Sequence, residues 1–202
     1  MPAEPADHYF TGDPTAVDRR REVPVRIWGR DLTFTTSSGV FSQDGLDKAT
    51  DVLLRHSTPP ARGTILDLGC GWGPIACAIS AANPDATVWA TDTNTRALEL
   101  TAVNASRLDA TVHVALPDDV PADLEFDEIW SNPPIRIGKR PLHDLLLRWL
   151  PRLAPDGTAR LVVGKNLGAD SLQRWLVDQG WPTERAASEK GFRILEVRRA
   201  VG

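Results

Sequence analysis

The sequence predicts an α/β fold: a mostly parallel sheet with helices on both faces, preceded by a β-hairpin and a helix. Three observations predict it. Strand-like and helix-like segments alternate from residue 63 onward. A glycine-rich turn, Gly69-Cys70-Gly71-Trp72-Gly73, directly follows the first of those strands. The 202 residues are 42% hydrophobic and 25% charged, ordinary globular usage that supplies one sizeable core.

Taken in order, residues 1–22 are polar and proline-bearing and are expected to wrap the surface. Val23, Val25 and Ile27 alternate, and Leu32 and Phe34 follow Gly29-Arg30-Asp31, the pattern of a hairpin turning at Gly29. Leu46, Ala49, Val52 and Leu53 share one face of a helix over about residues 46–56, which Pro59-Pro60 stops. Residues 1–60 are therefore expected to form an extension packed on a core of residues 61–202. In that core, strands are expected at 64–68, 87–91, 111–115, 128–131 and 159–163, and helices at 74–82, 94–107, 141–153 and 169–179. Two last strands at 183–187 and 192–197, joined by Glu189-Lys190-Gly191, complete seven, with one antiparallel strand in the edge region.

Composition excludes several classes. Lys and Arg number 23 against 27 Asp and Glu, a net charge of −4, so the chain is not a uniformly basic nucleic-acid binder. No apolar run approaches the ~18–20 residues needed to cross a bilayer. The start, MPAEPADHYF, lacks the basic and apolar regions of a secretory signal. Cys70 and Cys77 form no CxxC pair, and His8, His56, His113 and His143 are scattered. A reduced, cytoplasmic setting without metal chemistry is expected.

The glycine turn selects among nucleotide folds. A dinucleotide fingerprint wants its third glycine at position 74, where this chain has Pro74, and no Gly-Lys-Ser/Thr of a phosphate loop follows. Asp67 places an anion where a pyrophosphate would want none, and suits a positively charged ligand instead. Asp92, after the second strand, can accept both hydroxyls of a ribose, while Asn94 can cap the next helix. A cationic cofactor with an adenosine half points to S-adenosylmethionine. Asp67, Gly69, Cys70, Gly71 and Gly73 are its candidate contacts on the first turn; Asp92, Thr93 and Leu116 are those on the next two strand ends.

The fourth strand runs into Trp130-Ser131-Asn132-Pro133-Pro134-Ile135. Two prolines make a rigid turn and remove two backbone donors. What remains is acceptor-rich, and the Asn132 oxygen with the Pro133 carbonyl can hold the two hydrogens of a planar amine. Methyl transfer from a sulfonium depends on in-line placement more than on a strong base. Asn132, Pro133, Pro134 and Ile135 are the candidate catalytic residues.

Asp67-x-Gly69-x-Gly71-x-Gly73 resembles motif I of the Rossmann-like S-adenosylmethionine-dependent methyltransferases. The Asn132-Pro133-Pro134 turn resembles motif IV of those members that methylate amino or amide nitrogens. Gly39-Val40-Phe41-Ser42-Gln43-Asp44-Gly45-Leu46-Asp47, with Asp7-His8-Tyr9-Phe10 and Lys190-Gly191-Phe192-Arg193-Ile194-Leu195, is similar to bacterial small-subunit rRNA guanine-N2 methyltransferases of the small-domain family. The resemblance implies an RNA substrate and an exocyclic amine, guanine N2, as acceptor. This chain departs from the family in three ways. Ile135 stands where an aromatic residue often stacks on the acceptor, and Ala115-Leu116-Pro117-Asp118-Asp119 displaces the acid that often meets adenine. It also has one methyltransferase domain where better-known bacterial members have two. The alternatives are a protein glutamine methyltransferase and an inactive methyltransferase-fold module that binds RNA.

Charge is unevenly spread. Residues 83–128 hold two basic and ten acidic residues, whereas 129–202 hold thirteen basic and seven acidic. Arg136, Lys139 and Arg140 follow the acceptor turn and are candidate RNA contacts through phosphate. Phe41 is a further candidate for the substrate, with core packing as the other reading; Asp47 reads first as a helix-start carboxylate.

Overall fold

The computed structural model describes residues 16–199. Asp7-His8-Tyr9-Phe10 and most of the segment expected to wrap the surface lie outside them. Strands β1 (Arg21–Ile27) and β2 (Arg30–Thr36) form an antiparallel hairpin. Its turn is Trp28-Gly29, with φ of +48° and +78°, the left-handed pair that matches the twist of a two-residue hairpin. Helix α1 (Lys48–Arg55) follows, and then β3 (Gly63–Leu68), α2 (Pro74–Ala82), β4 (Ala86–Thr91), α3 (Thr95–Arg107), β5 (Val112–Ala115) and β6 (Phe126–Ser131). The chain continues through α4 (Lys139–Trp149), β7 (Leu153–Gly164), α5 (Ala169–Asp178), β8 (Thr183–Glu189) and β9 (Phe192–Arg198).

Seven strands pair in the order β5-β4-β3-β6-β7-β9-β8, parallel except for β9. The antiparallel strand lies one in from the edge. Hydrophobicity explains the placement: Ile194, Leu195 and Val197 of β9 are buried, whereas no residue of β8 is. The apolar strand fills the interior and the polar one faces water. Strand β7 begins six residues earlier than expected, because Pro155-Asp156-Gly157 continues the strand past a register shift opposite β6. A Cβ at Gly157 would come within 2.8 Å of the Phe126 carbonyl, so only glycine lets these backbones approach.

The hairpin is anchored by its apolar face and by one amide. Phe34 is fully buried, edge-on to Trp72 of the glycine turn at a centroid distance of 5.1 Å. Asn104 of α3 completes the ladder of β2 like a neighbouring strand: its Oδ1 accepts from Thr35 N (2.6 Å) and its Nδ2 donates to Thr35 O (2.8 Å). The same Nδ2 donates to Trp72 O at 2.8 Å, which ties hairpin, helix and glycine turn together.

From β3 the chain winds outward to β4 and β5, then returns to lay β6 on the other side of β3. That reversal is a topological switch point, where the loops after two adjacent strands part and leave a crevice. The loops concerned are Gly69–Gly73 and Asn132–Ile135.

Candidate active site

Gly69, Gly71 and Gly73 all have left-handed φ, at +77°, +56° and +85°. Gly69 N–H and Cys70 N–H donate to the Thr91 carbonyl (2.9 and 3.0 Å), fastening the turn to the end of β4. A Cβ on Gly73 would meet the Thr101 side chain at 2.9 Å, whereas one on Gly69 or Gly71 would meet no atom within 4 Å. Gly73 therefore serves close packing. Gly69 and Gly71 line a cavity of about 380 Å³ and leave their backbone open to a ligand.

Asp67 lies beneath this turn, not on the cavity wall. It has no exposure, and its Oδ2 accepts from Ala76 N in the first turn of α2 (3.0 Å). Its Oδ1 has no partner among the described residues, and burial pushes the carboxyl up to about 7. Cys70 is also buried, its Sγ 3.5 Å from Thr101 Oγ1, and burial pushes its thiol well up. Asp92 reaches the cavity with Thr93. Its Oδ2 accepts from Gly71 N (3.0 Å) and its Oδ1 from Asn94 N (2.9 Å). Desolvation raises its pKa and these backbone donors oppose the rise. Leu116 is 38% exposed and its neighbour Pro117 supplies the wall. The displaced acid Asp118 is committed to Arg148 at 2.8 Å.

On the facing side, Ser131 Oγ donates to Leu68 O (2.7 Å), holding the ends of β3 and β6 together. Pro134, at φ −73° and ψ 73°, forms an inverse γ-turn in which Ile135 N–H donates to Pro133 O at 2.8 Å. One lone pair of that carbonyl is thereby used and one remains. Asn132 Nδ2 donates to Asp47 Oδ2 (2.9 Å) and Thr50 Oγ1 (3.1 Å). A carboxylate only accepts, so the amide nitrogen must face Asp47 and Asn132 Oδ1 must face elsewhere.

The loop before α1 crosses the glycine turn. Asn94 Nδ2 donates to Gly39 O (2.8 Å) and Trp72 Nε1 to Ser42 O (3.3 Å). Phe41 is left 44% exposed on the cavity wall. Leu145, Trp149, Val162, Leu167 and Phe192 complete the apolar side. The fold thus brings Phe41, Gly69, Gly71, Asp92, Thr93 and residues 132–136 around one space. Asp67, Cys70, Gly73 and Leu116 stand behind or beside it. Lys139 and Arg140 begin α4 outside the cavity, and with Arg136 they are exposed and form no ion pair among the described residues.

Thr50 was not anticipated at the site, and Asp47 was read first as a helix-start carboxylate. Asp47 does cap α1, accepting from Ala49 N (2.8 Å) and Thr50 N (3.2 Å), and the same oxygen also receives Asn132. Its helix-start signature was readable; its reach across 85 positions to Asn132 was not.

Residues 31–196 match the methyltransferase small domain. The chain belongs to that family. Over 199 residues it is 30% identical to uncharacterized protein YbxB of Bacillus subtilis, covering 96% of this chain and 99% of that one. It is also 35% identical over 178 residues to ribosomal RNA small subunit methyltransferase C of Shewanella loihica, covering 80% of this chain and 51% of the relative. The chain spans about a third to a half of the methyltransferase C proteins it matches. In fold it is similar to the T. thermophilus 16S rRNA N2 G1207 methyltransferase, solved with AdoMet and guanosine. That similarity has a TM-score of 0.78 at 21% identity and covers 89% of this chain and 50% of that one. The family match, residues 31–196, spans the seven-stranded sheet up to β9 and contains both the glycine turn and the Asn-Pro-Pro turn. No helix among the described residues is long and apolar enough to cross a membrane.

Proposed function

We propose that this small-domain chain is an S-adenosylmethionine-dependent N-methyltransferase acting on an exocyclic amine of RNA, guanine N2 in small-subunit rRNA. The observation that carries this reading is Asn132: its amide hydrogens are held by Asp47 and Thr50, so its oxygen is available beside the glycine turn. An amine with two hydrogens fits two acceptors, Asn132 Oδ1 and the remaining lone pair of Pro133 O.

The residues fit the cofactor. Gly69 and Gly71 offer open backbone, Asp92 and Thr93 line the cavity, and the buried Asp67 Oδ1 lacks a partner that a nearby cation would favour. When bound, S-adenosylmethionine would supply an electrophilic methyl on a sulfonium, to be displaced by the amine lone pair with the bonding pair left on sulfur and one amine proton lost. The chain's share is placement. Asn132 and Pro133 aim the nitrogen lone pair, Ile135 and Phe41 flank the base, and the apolar wall excludes water. A base inside a helix would have to leave its stack to enter. Arg136, Lys139 and Arg140 are suited to the phosphates around it.

The test is transfer of labelled methyl to separated ribosomal subunits, free rRNA, tRNA and a release factor. Label on small-subunit rRNA is expected, and Asn132→Ala should abolish it while leaving the cofactor Kd within about twofold. Label confined to the release factor would overturn the RNA reading. Cofactor binding with no label on any acceptor would identify a binding module.

A further inference from the structure

We infer that Asp47 and Thr50 are positioning residues that lock the Asn132 amide so that it presents an acceptor, never a donor, to the incoming nucleophile. This rests on the N-methyltransferase reading above and adds what makes the Asn-Pro-Pro turn selective for amines.

A primary amide can rotate half a turn with little change in shape, exchanging its oxygen for its NH2 group. Against an amine substrate the two orientations are opposite in effect. Oδ1 accepts a hydrogen and directs the nitrogen lone pair, whereas NH2 meets another donor. Around Asn132 the choice is made from behind. Nδ2 carries two hydrogens and has two acceptors, Asp47 Oδ2 at 2.9 Å and Thr50 Oγ1 at 3.1 Å. Rotation would turn Oδ1 onto the Asp47 carboxylate, setting acceptor against acceptor.

The lock itself is fixed. Asp47 Oδ2 also accepts from the N–H groups of Ala49 and Thr50, so the carboxylate is immobilised by the helix it caps. Thr50 is buried, and α1 is anchored by its buried Ala49, Val52, Leu53 and Leu54. A small hollow of about 30 Å³ joins Asp47, Thr50 and Asn132 to Gly69–Gly71, so the lock stands against the glycine turn. The Asn-Pro-Pro turn therefore depends on a helix from the segment before the sheet.

Capping and orienting can be separated by experiment. Asp47→Ser keeps a helix cap but is too short to reach Asn132; Thr50→Val keeps the shape and removes the hydroxyl. Asp47→Asn keeps an oxygen that can receive the same three donors. The double variant Asp47→Ser/Thr50→Val is expected to lower kcat by about tenfold to a hundredfold, with cofactor Kd and melting temperature nearly unchanged. Asp47→Asn should recover most of the lost rate. A readout that needs no turnover is hydrogen exchange of the Asn132 side-chain NH2, its ¹⁵N signal identified by its loss in Asn132→Ala. It should be at least about tenfold slower in the wild type than in the double variant. Wild-type kcat in the double variant, unprotected Asn132 hydrogens in the wild type, or loss of stability in step with loss of rate would each overturn the lock. Protected Asn132 hydrogens in a wild type that transfers no methyl would overturn the methyltransferase reading and leave the lock standing.

Discussion

Asp67 makes the stability of this chain depend on pH in a direction opposite to that of a paired carboxylate. Burial raises its pKa from 3.8 to about 7, so across that interval the folded state keeps a proton that the unfolded chain has lost. The stability this confers is complete below about pH 4 and disappears as the pH rises through about 7. The displacement corresponds to about 4 kcal/mol in full, of which about 3 kcal/mol is lost between pH 5 and pH 8. Asp67→Asn removes the titration and keeps an oxygen for the Ala76 N–H. Thermal unfolding of both proteins at pH 5 and pH 8 reads the effect, with every other titrating group common to the pair. On going to pH 8 the wild type should fall relative to Asp67→Asn by roughly 10 °C in Tm for a domain of this size. Saturating S-adenosylmethionine should narrow the difference at pH 8, because a nearby ammonium favours the ionised carboxylate. An equal gap at the two pH values without cofactor would refute the reasoning.

The glycines of the turn separate by role. Gly73→Ala, at φ +85° with its Cβ 2.9 Å from Thr101, should cost about 3 kcal/mol in urea unfolding. Gly71→Ala meets no atom within 4 Å and should cost about 1 kcal/mol, while weakening the cofactor at least tenfold by calorimetry. Charge reversal of Arg136, Lys139 and Arg140 should weaken RNA binding across sequences and reduce the salt slope by about two, measured by filter binding. Reversal of Lys139 and Arg140 alone, which lie outside the cavity, should leave cofactor affinity unchanged.

Local chemistry made much of this chain readable. Pro74 at the first helical position and Asn94 as a cap, accepting from Ala97 N, set helix starts that the structure reproduces. The turn signal at Gly29 placed the hairpin for the same reason. Misjudgements arose where a local signal lost to a distant partner. Pro155-Asp156-Gly157 has no ladder partner of its own and lies within β7 because Leu153 pairs with Phe126 before it and Thr158 with Glu128 and Arg198 after it. Helix α4 begins at Lys139 and not at residue 141, behind Gly138, which offers no side-chain cap to read. The position of β9 follows from comparing its apolar surface with that of β8, which no single segment displays. At the site, the residues contributed by consecutive turns were legible because each turn has its own signature. The burial of Asp67 and the Asp47–Asn132 contact depend on how α1 and α2 settle on the sheet, and no short motif records that.

The placement of β9 has a consequence for how the molecule comes into being. Among the described residues strand β8 pairs with β9 alone, yet β9 follows it in the chain. While the chain is being synthesised, β8 has no neighbour to join and β7 keeps one side bare. The sheet closes only when the last strand inserts between two that are already made. Loss of β9 would therefore expose the flank of β7, with Leu161 and Val163 in it, as a template for another chain. A chain lacking β9 is therefore expected to associate through that flank.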